Sequence, residues 1–456
     1  MTKTTMTKFF KSNNKFFKKF DGLDYAAHTV FSRGGYFFKG EIDLEKFLKS
    51  MEQVFHEFPI LLSTFYSEDG IWNISYPPKS HHKINEQLEI EKKHNESIES
   101  TTLESILPME LLDERMKNGF SIDLEGLPMG SFKLTILKDG FVIGYSINHS
   151  LFDQSSMFYF FKYLSIIYSN KGEDNKTLKK PTTINADNFY DKNQPELTDL
   201  KEFRDYGKEF LGFTYTPFGS SSSEDEETKT TTTTSNVNNN ITIKVKFNLN
   251  EIEKLIKSLD YYLSMNDIIH SIIIKILSIN ENISKDEEFR LRYTCNMRKR
   301  CNLTEEYIGN FGFQQNLLFK ISDIRNNTIL ELAKINRKDV SEFTNDNFFK
   351  TLTWHNKMQL HKELPLNYLG KQVPTITNVS NWTSFDYDKI SFDGIKPFTI
   401  KAPCIATYNV NIICFDFDFE NLQKFYRTTI FVPSNSFNQI SDFANDSKLF
   451  TVEKSS

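Results

Sequence analysis

The chain has 456 residues, which is more than one compact core usually holds and suggests two domains of similar size. Its formal net charge is -5 and 25% of its residues are charged, so bulk electrostatics favour neither nucleic acid nor an anionic membrane as a partner. Phe occurs 43 times and Gly 18 times, which provides apolar bulk for burial and few of the flexible loops that hold phosphates. These numbers exclude nucleic-acid binding driven by charge.

The amino terminus, MTKTTMTKFFKSNNKFFKKF, contains lysines and phenylalanines but no acidic residue, and it has two interpretations. It is either a membrane-surface or transit element, or an irregular terminus that leads into the first strand. The second is favoured because transit peptides prefer Arg, whereas all the basic residues here are Lys.

The chain shows no apolar signal segment and no run near the roughly 18 apolar residues of a spanning helix. Its four cysteines form no C-x-x-C pair and are expected to be buried thiols in a reducing compartment. No histidine cluster has companion ligands at metal-binding spacing, so no metal is expected. The pattern predicts a soluble, cytoplasmic protein.

The first half alternates strand and helix patterns. Apolar residues recur at helical spacing over residues 43–56, with Asp43 as the N-cap. Two alternating runs, residues 132–137 and 141–147, flank a Lys-Asp-Gly turn and predict a hairpin. An apolar-faced helix then follows over residues 154–169.

Residues 219–240 are rich in Ser, Thr and Asn and lack large apolar side chains, so they cannot repay the entropy of ordering. We therefore predict an N-terminal domain over residues 1–215, a linker over 216–240 and a C-terminal domain over 241–456. A strand over 241–247 and helices after Asn250 and Ser264 make the second half α+β as well.

His149 and Asp153 form an H-x-x-x-D pattern at the predicted strand-to-helix turn. A histidine in such a turn is suited to take a proton from an alcohol or amine near neutral pH. Spacing alone also fits a turn histidine beside an N-cap aspartate. The chain has no G-x-S-x-G, G-x-G-x-x-G or P-loop motif, so the common hydrolase, dinucleotide and P-loop signatures are absent.

The order of several further motifs matters more than any one of them. The strand, H-x-x-x-D turn and helix of residues 140–172 resemble the active-site region of the BAHD family of acyl-CoA-dependent acyltransferases. Other pieces similar to family motifs follow the family's order: Leu23-Asp24, residues 58–62, residues 295–300, Tyr307-Ile308-Gly309-Asn310, residues 377–382 and residues 391–397. The resemblance covers nearly the whole chain in pieces.

This resemblance implies an α+β fold of two similar chloramphenicol acetyltransferase-like domains, each a mixed sheet flanked by helices, with a channel at their interface. His149 would be the general base, with no covalent intermediate. Asp153 would pair with Arg298 and shape the turn. Ser380 and Trp382 would be oxyanion donors.

The same resemblance implies substrate-binding roles for Asn148, Thr377 and Lys396, the last of these toward a phosphate of coenzyme A. Acyl-CoA would be a co-substrate, with no permanently bound cofactor and no metal. The acceptor would be a small-molecule alcohol or amine, and the protein would be a monomer.

Three residues depart from the family pattern. Gln154 replaces a glycine, which would cost on the order of 1 kcal/mol if that position needs positive φ. Ser391 and Gly394 replace an aspartate and a tryptophan in the C-terminal motif. These departures keep open an alternative function, a non-catalytic relative that binds a ligand or a protein partner. Use of a carrier-protein thioester is disfavoured because Asn148 stands where such enzymes usually carry a second histidine.

Overall fold

The computed structural model describes residues 17–19, 27–68, 71–75, 87–117, 121, 123–169, 178–182, 199–211, 215–217, 240–361, 363–365, 375–402, 410–418 and 423–455. Most of the Lys- and Phe-rich terminus and most of the predicted linker lie outside these residues, as do Leu23, Asp24 and Cys404. The prediction of a linker over residues 216–240 therefore stays a prediction.

The chain divides into two compact units. The first contains Met1–Phe189 and two segments of the second half of the chain, Asn302–Phe311 and Asp386–Lys401. We call these two segments the docking loop and the returning segment. The second unit contains Tyr190–Cys301, Gly312–Phe385 and Ala402–Ser456. Each unit thus draws on residues from both halves of the sequence.

The described strands, in chain order, are β1 (Phe17–Lys19), β2 (Phe31–Lys39), β3 (Thr64–Glu68), β4 (Ile71–Ser75), β5 (Leu88–Lys93), β6 (Gly130–Leu137), β7 (Gly140–Asn148), β8 (Tyr215–Pro217), β9 (Asn240–Phe247), β10 (Glu288–Asn296), β11 (Gly312–Lys320), β12 (Glu363–Pro365), β13 (Ile376–Asn381), β14 (Pro397–Lys401), β15 (Val410–Asp418), β16 (Gln423–Pro433) and β17 (Phe450–Lys454). The described helices are α1 (Leu44–Glu57), α2 (Leu103–Ile106), α3 (Gln154–Ser169), α4 (Leu200–Leu211), α5 (Leu249–Lys257), α6 (Met265–Ser278), α7 (Ile321–Asn326), α8 (Ile329–Glu342), α9 (Asn345–His361) and α10 (Phe437–Ser447).

The first unit is built on a mixed five-stranded sheet in the order β14-β2-β7-β6-β5, with a smaller sheet in the order β1-β4-β3. Strands β6 and β7 form the predicted hairpin, and β7 pairs antiparallel with β2 along its whole length. The edge strand β14 belongs to the returning segment and pairs with β2 from the other side. Helices α1 and α3 match the predicted helices, and the side chain of Asp43 accepts the Lys46 N–H at 3.0 Å as the predicted N-cap.

Close approach of the chain to this sheet depends on Gly144 in β7. A Cβ atom at this position would lie 1.9 Å from the carbonyl oxygen of Ile106. Helix α2 therefore packs directly onto the sheet only because residue 144 has no side chain. Phe37 and Val142 join Ile106 in the buried apolar cluster below α2.

The second unit is built on a seven-stranded sheet in the order β11-β10-β13-β15-β16-β9-β17. Strand β13 is parallel to both of its neighbours, β10 and β15. Helix α6 packs on the sheet through a row of fully buried isoleucines, and it begins at the predicted capping box of Ser264 and Asp267. The strand predicted over residues 241–247 is β9, one residue longer at its start.

The described cysteines are thiols held in protonated form. Burial raises the pKa of Cys295 and Cys301 to about 11 and that of Cys414 to about 12. Cys414 is fully buried, whereas Cys295 and Cys301 are partly buried. Their chemistry is therefore that of inert side chains rather than nucleophiles.

Within the described residues, no helix has the length and apolar character needed to cross a membrane. Within the same residues, no three His, Cys, Asp or Glu side chains come close enough together to hold a metal ion.

Histidine burial makes the second unit sensitive to acid. His270 on α6 packs against the ring of Tyr293 with centroids 5.3 Å apart, and burial lowers its pKa from 6.5 to about 4. Between pH 4 and pH 6.5 the histidine is protonated in the unfolded chain but neutral in the folded chain. Protonation therefore favours the unfolded state, so the stability present above pH 6.5 is lost as the pH falls toward 4. When the pH falls from 7 to 5, we expect the free energy of unfolding of the wild type to decrease by about 2 kcal/mol more than that of His270→Phe. Urea unfolding at the two pH values measures this, and equal losses in both proteins would contradict it.

Candidate active site

His149 occupies the turn between β7 and α3. Its backbone N–H donates to the carbonyl oxygen of Val30 at 2.8 Å, which anchors the turn to the start of β2. The Nδ1 atom of its imidazole is buried and has no hydrogen-bond partner among the described residues. One ring nitrogen is thus held out of water without being used by the surrounding fold.

The environment of His149 keeps its imidazole neutral. Burial lowers the pKa of His149 below the ordinary 6.5, while its own backbone and the charge of Asp153 act in the opposite direction. Desolvation is the larger effect because the charged form loses its hydration. At neutral pH the ring therefore has a free lone pair, which a general base requires.

Asn148 holds the turn from inside. It is fully buried, and its Nδ2 donates to the His28 carbonyl oxygen at 2.7 Å. Its Oδ1 accepts the backbone N–H of Ser150 at 3.0 Å and the Ser150 hydroxyl at 2.6 Å. These contacts connect the residues on both sides of His149, so they support a role for Asn148 in shaping the turn. Substrate binding by Asn148 stays a prediction.

Asp153 caps α3 and also holds the docking loop. Its Oδ1 accepts the backbone N–H of Ser156 at 2.9 Å, which is the N-cap interaction of a helix start. Its Oδ2 accepts the backbone N–H of Phe311 at 3.0 Å. A single carboxylate therefore connects the histidine turn to a segment that lies more than 150 residues later in the chain.

Ser156 strengthens the same connection. Its hydroxyl donates to the carbonyl oxygen of Gly309 at 2.9 Å and accepts the N–H of Gly309 at 3.0 Å. The motif Tyr307-Ile308-Gly309-Asn310 is thus part of the framework that carries His149. Sequence reasoning placed this motif in the chain order but did not assign it, or Ser156, to the histidine turn.

Arg298 is buried, with 2% of its surface exposed. Its backbone N–H and its Nη1 atom donate to the Oδ1 of Asn296 at 3.1 and 3.3 Å. Both contacts fold the end of β10 onto its own turn. The predicted pair between Arg298 and Asp153 stays a prediction.

Ser380 and Trp382 lie at the end of β13 and bond to each other. The indole Nε1–H donates to the Oγ of Ser380 at 3.0 Å, and the backbone N–H of Trp382 donates to the carbonyl oxygen of Ile413 at 2.9 Å. Because the serine oxygen accepts the indole proton, its own O–H points elsewhere. The Ser380 hydroxyl can therefore still donate a hydrogen bond, whereas the indole N–H already donates one.

The last two predicted residues differ in exposure. Thr377 is fully buried, and its Oγ1 accepts the Nδ2–H of Asn411 at 2.6 Å across the strand pair. Lys396 is exposed, with its Nζ 3.7 Å from a carboxylate oxygen of Asp388. Substrate binding by either residue stays a prediction.

Residues 87–430 match the family model described as "Transferase family". The chain belongs to the BAHD acyltransferase family. This match covers most of the chain and confirms the resemblance that was drawn from the ordered motifs. Among curated proteins, no sequence matches the chain significantly.

Solved structures of several proteins are similar in fold to this chain. The structure of F. sporotrichioides TRI101 complexed with coenzyme A and T-2 is 13% identical, with a TM-score of 0.65 over 95% of this chain and 99% of that one. F. graminearum TRI101 complexed with ethyl coenzyme A is also 13% identical, with a TM-score of 0.68 over 96% and 100%. Vinorine synthase is 12% identical, with a TM-score of 0.62 over 98% and 96%. The predicted two-domain α+β fold of the chloramphenicol acetyltransferase type is confirmed.

Gln154 occupies the position at which the BAHD motif has a glycine, and its backbone there is not strained. Gln154 is the first residue of α3, and it is not among the described residues with positive φ. The conditional cost assigned to this substitution from the sequence therefore does not arise. Its Nε2 donates to the phenol oxygens of Tyr36 at 3.3 Å and Tyr387 at 3.4 Å.

The departures in the C-terminal BAHD motif also have a local explanation. Asp393 and Gly394 have φ values of 50° and 95°, and backbone hydrogen bonds run both ways between Phe392 and Ile395. This is a two-residue hairpin turn of the Asp-Gly kind, in which glycine avoids the strain of the left-handed region. Ser391 stabilises the turn because its hydroxyl oxygen accepts the N–H of Gly394 at 3.1 Å.

Proposed function

We propose that this protein transfers an acyl group from acyl-CoA to the hydroxyl or amine of a small molecule, with His149 as the general base. The observation that carries the proposal is a half-buried imidazole with a lowered pKa, on a turn held by hydrogen bonds on both sides, in a chain of this family. Support for acyl-CoA as co-substrate comes from the related TRI101 structures described above, one of which is complexed with coenzyme A and the other with ethyl coenzyme A.

The chemistry needs one base and no covalent enzyme intermediate. The neutral imidazole of His149 removes the proton of the acceptor O–H or N–H as the acceptor's oxygen or nitrogen attacks the thioester carbonyl carbon. A tetrahedral oxyanion forms, and its collapse breaks the carbon–sulfur bond. The imidazolium then returns its proton to the departing thiolate of coenzyme A. The products are the acylated acceptor and free coenzyme A, and the histidine is neutral again.

Ser380 is the proposed donor to the oxyanion. Its hydroxyl oxygen accepts the Trp382 indole N–H, so the hydroxyl proton is available for a ligand and is polarised by the indole. Sequence reasoning proposed both residues as donors. The hydrogen bond between them supports a division of roles, in which Ser380 donates and Trp382 orients it.

This division of roles predicts unequal effects of two substitutions. We expect Ser380→Ala to lower kcat about 10²-fold, because an oxyanion donor is lost. Trp382→Phe keeps the hydroxyl but removes its orienting partner, so we expect a loss of about tenfold. Steady-state kinetics with a fixed substrate pair measure both. A larger loss for Trp382→Phe than for Ser380→Ala would show that the indole itself is the donor.

The proposed function is tested by thiol release. A panel of acyl-CoAs is incubated with mixed alcohol and amine acceptors, and free coenzyme A is measured with a thiol reagent. Acceptor-dependent release is expected, together with an increase in the mass of the acceptor equal to the acyl group less one hydrogen atom. Saturable acyl-CoA binding without release for any pair would instead favour the non-catalytic alternative.

The structure weakens the reasons for that alternative. Gln154 starts a helix without strain, and Ser391 and Gly394 build a well-formed turn. None of the three changes disturbs the backbone that carries His149.

The predicted cytoplasmic location, monomeric state and choice between hydroxyl and amine acceptors stay predictions.

A further inference from the structure

The returning segment holds helix α3 at both of its ends. At the first turn, Gln154 donates to the phenol of Tyr387. At the last turn, the Ser169 hydroxyl donates to the carbonyl oxygen of Ser391 at 2.9 Å and accepts the N–H of Asp393 at 2.9 Å. The helix has 16 residues and is therefore about 24 Å long. The returning segment thus follows α3 from its start to its end.

Aromatic packing fills the space between these two anchors. The ring of Tyr387 meets Phe158 edge to face with centroids 5.7 Å apart, and Phe392 meets Tyr168 in the same way at 5.2 Å. Such contacts bury apolar area but tolerate small sliding movements, because dispersion is not directional. The hydrogen bonds at the two ends are directional contacts between the segment and the helix, in addition to the pairing of β14 with β2.

The anchor at Gln154 differs from the anchor at Ser169 in its surroundings. Gln154 follows Asp153 directly and lies five residues after His149. It also reaches the phenol of Tyr36 in β2, so one carboxamide joins α3, the sheet and the returning segment. The anchor at Ser169 lies at the far end of the helix and touches nothing near the histidine turn.

The other end of the Gln154 carboxamide is buried without a partner. Its Oε1 has no hydrogen bond among the described residues. Exchanging the amide oxygen and nitrogen leaves the same situation, because a phenol accepts as well as donates. A buried polar group that is only half satisfied costs stability, and an apolar side chain of equal length would avoid that cost. A glutamine at this position is therefore better explained by the elements that its carboxamide joins than by packing.

We propose that Gln154 is a positioning residue for acyl transfer, an inference that rests on the proposed function of His149. By tying the first turn of α3 to Tyr387 and Tyr36, its carboxamide keeps the Asp153 cap, and with it the histidine turn, in one place. Catalysis is sensitive to this because displacement of a catalytic group by about 1 Å costs up to about 10²-fold in rate.

The test compares Gln154→Met with Ser169→Ala. Methionine keeps the length of the side chain but makes no hydrogen bond to the phenols, and alanine removes the anchor at the other end of the same helix. We expect Gln154→Met to lower kcat about tenfold with KM values within about twofold. We expect Ser169→Ala to lower Tm, because it removes two hydrogen bonds to the returning segment, while kcat stays within about twofold.

A double-mutant cycle with Tyr387→Phe identifies the partner. If the carboxamide acts through this phenol, the double variant Gln154→Met with Tyr387→Phe should be no slower than Gln154→Met alone. Additive losses in kcat would overturn the tether. This arm stays informative if one variant folds poorly, because Tyr387→Phe removes only one hydroxyl.

The outcomes separate this inference from the proposed function. An active wild type in which Gln154→Met turns over as fast as Ser169→Ala overturns the positioning role and leaves the proposed function standing. Coupling between Gln154 and Tyr387 in Tm but not in kcat also overturns it, because the tether is then only structural. A wild type that releases no coenzyme A overturns both.

Discussion

His149→Ala is expected to lower kcat/KM by about 10²–10⁴, which corresponds to about 3–5 kcal/mol of transition-state stabilisation. The loss arises because the variant has no imidazole to take the acceptor proton. The fold should survive, since the Nδ1 atom has no partner among the described residues and its removal breaks no hydrogen bond there. We therefore expect the free energy of unfolding to change by about 1 kcal/mol or less.

The pH dependence of kcat/KM gives a second readout of the same residue. Because burial lowers the pKa of His149 below its ordinary 6.5, the wild-type rate should begin to fall at a lower pH than it would with an exposed histidine as the base. The residual rate of His149→Ala should lack this acidic limb. An acidic limb that persists unchanged in the variant would assign the titration to another group.

A matched control is available on the surface of the first unit. His94 is exposed, so His94→Ala should leave both the rate and its pH dependence unchanged. If His149→Ala unfolds the protein while activity per folded molecule is retained, His149 is a structural residue and the proposed mechanism is wrong.

Local sequence patterns predicted several elements of the fold, among them those that carry His149. Helix α3, the β6–β7 hairpin, the Asp43 cap and the Ser264 capping box each depend on residues close together in the chain, so periodicity and cap chemistry were sufficient. The position of His149 on a strand-to-helix turn follows from the same local information.

Long-range contacts account for what the sequence did not reveal. The docking loop meets Asp153 and Ser156 across more than 150 residues, and the returning segment adds β14 to the first sheet. Nothing in the local pattern of residues 302–311 or 386–401 indicates to which unit they belong. The hydrogen bond from Trp382 to Ser380 is similarly hidden, because motif order gives residue identities but not donor directions.

Gln154 illustrates why a departure from a motif is difficult to interpret without coordinates. The BAHD motif has a glycine at this position, so the sequence left open that the position needs positive φ and that glutamine would be strained there. In the fold the residue starts a helix, where right-handed backbone is normal and any side chain is tolerated. The informative feature was therefore the set of partners that the new side chain reaches and not its backbone.

Asp153→Ala is expected to destabilise the protein by about 2–4 kcal/mol, the opposite of the behaviour expected for His149→Ala. Two effects contribute. The first turn of α3 loses its cap at Ser156, and the buried N–H of Phe311 loses its acceptor. Activity per folded molecule should also fall, by about 10–10²-fold, because the turn that carries His149 loses one of its ties to the docking loop and keeps those made through Ser156.

Chemical unfolding and kinetics on the same preparations separate these effects. Asp153→Asn should be intermediate, since its remaining carbonyl oxygen accepts one of the two N–H groups. Asp388→Ala is the control, because that carboxylate is 64% exposed and its removal should change stability by about 0.5 kcal/mol or less. A variant Asp153→Ala that is as stable as the wild type yet inactive would mean that the carboxylate takes part in the chemistry. Loss of both properties together, with Asp388→Ala unaffected, would identify Asp153 as the residue through which the fold holds its base in place.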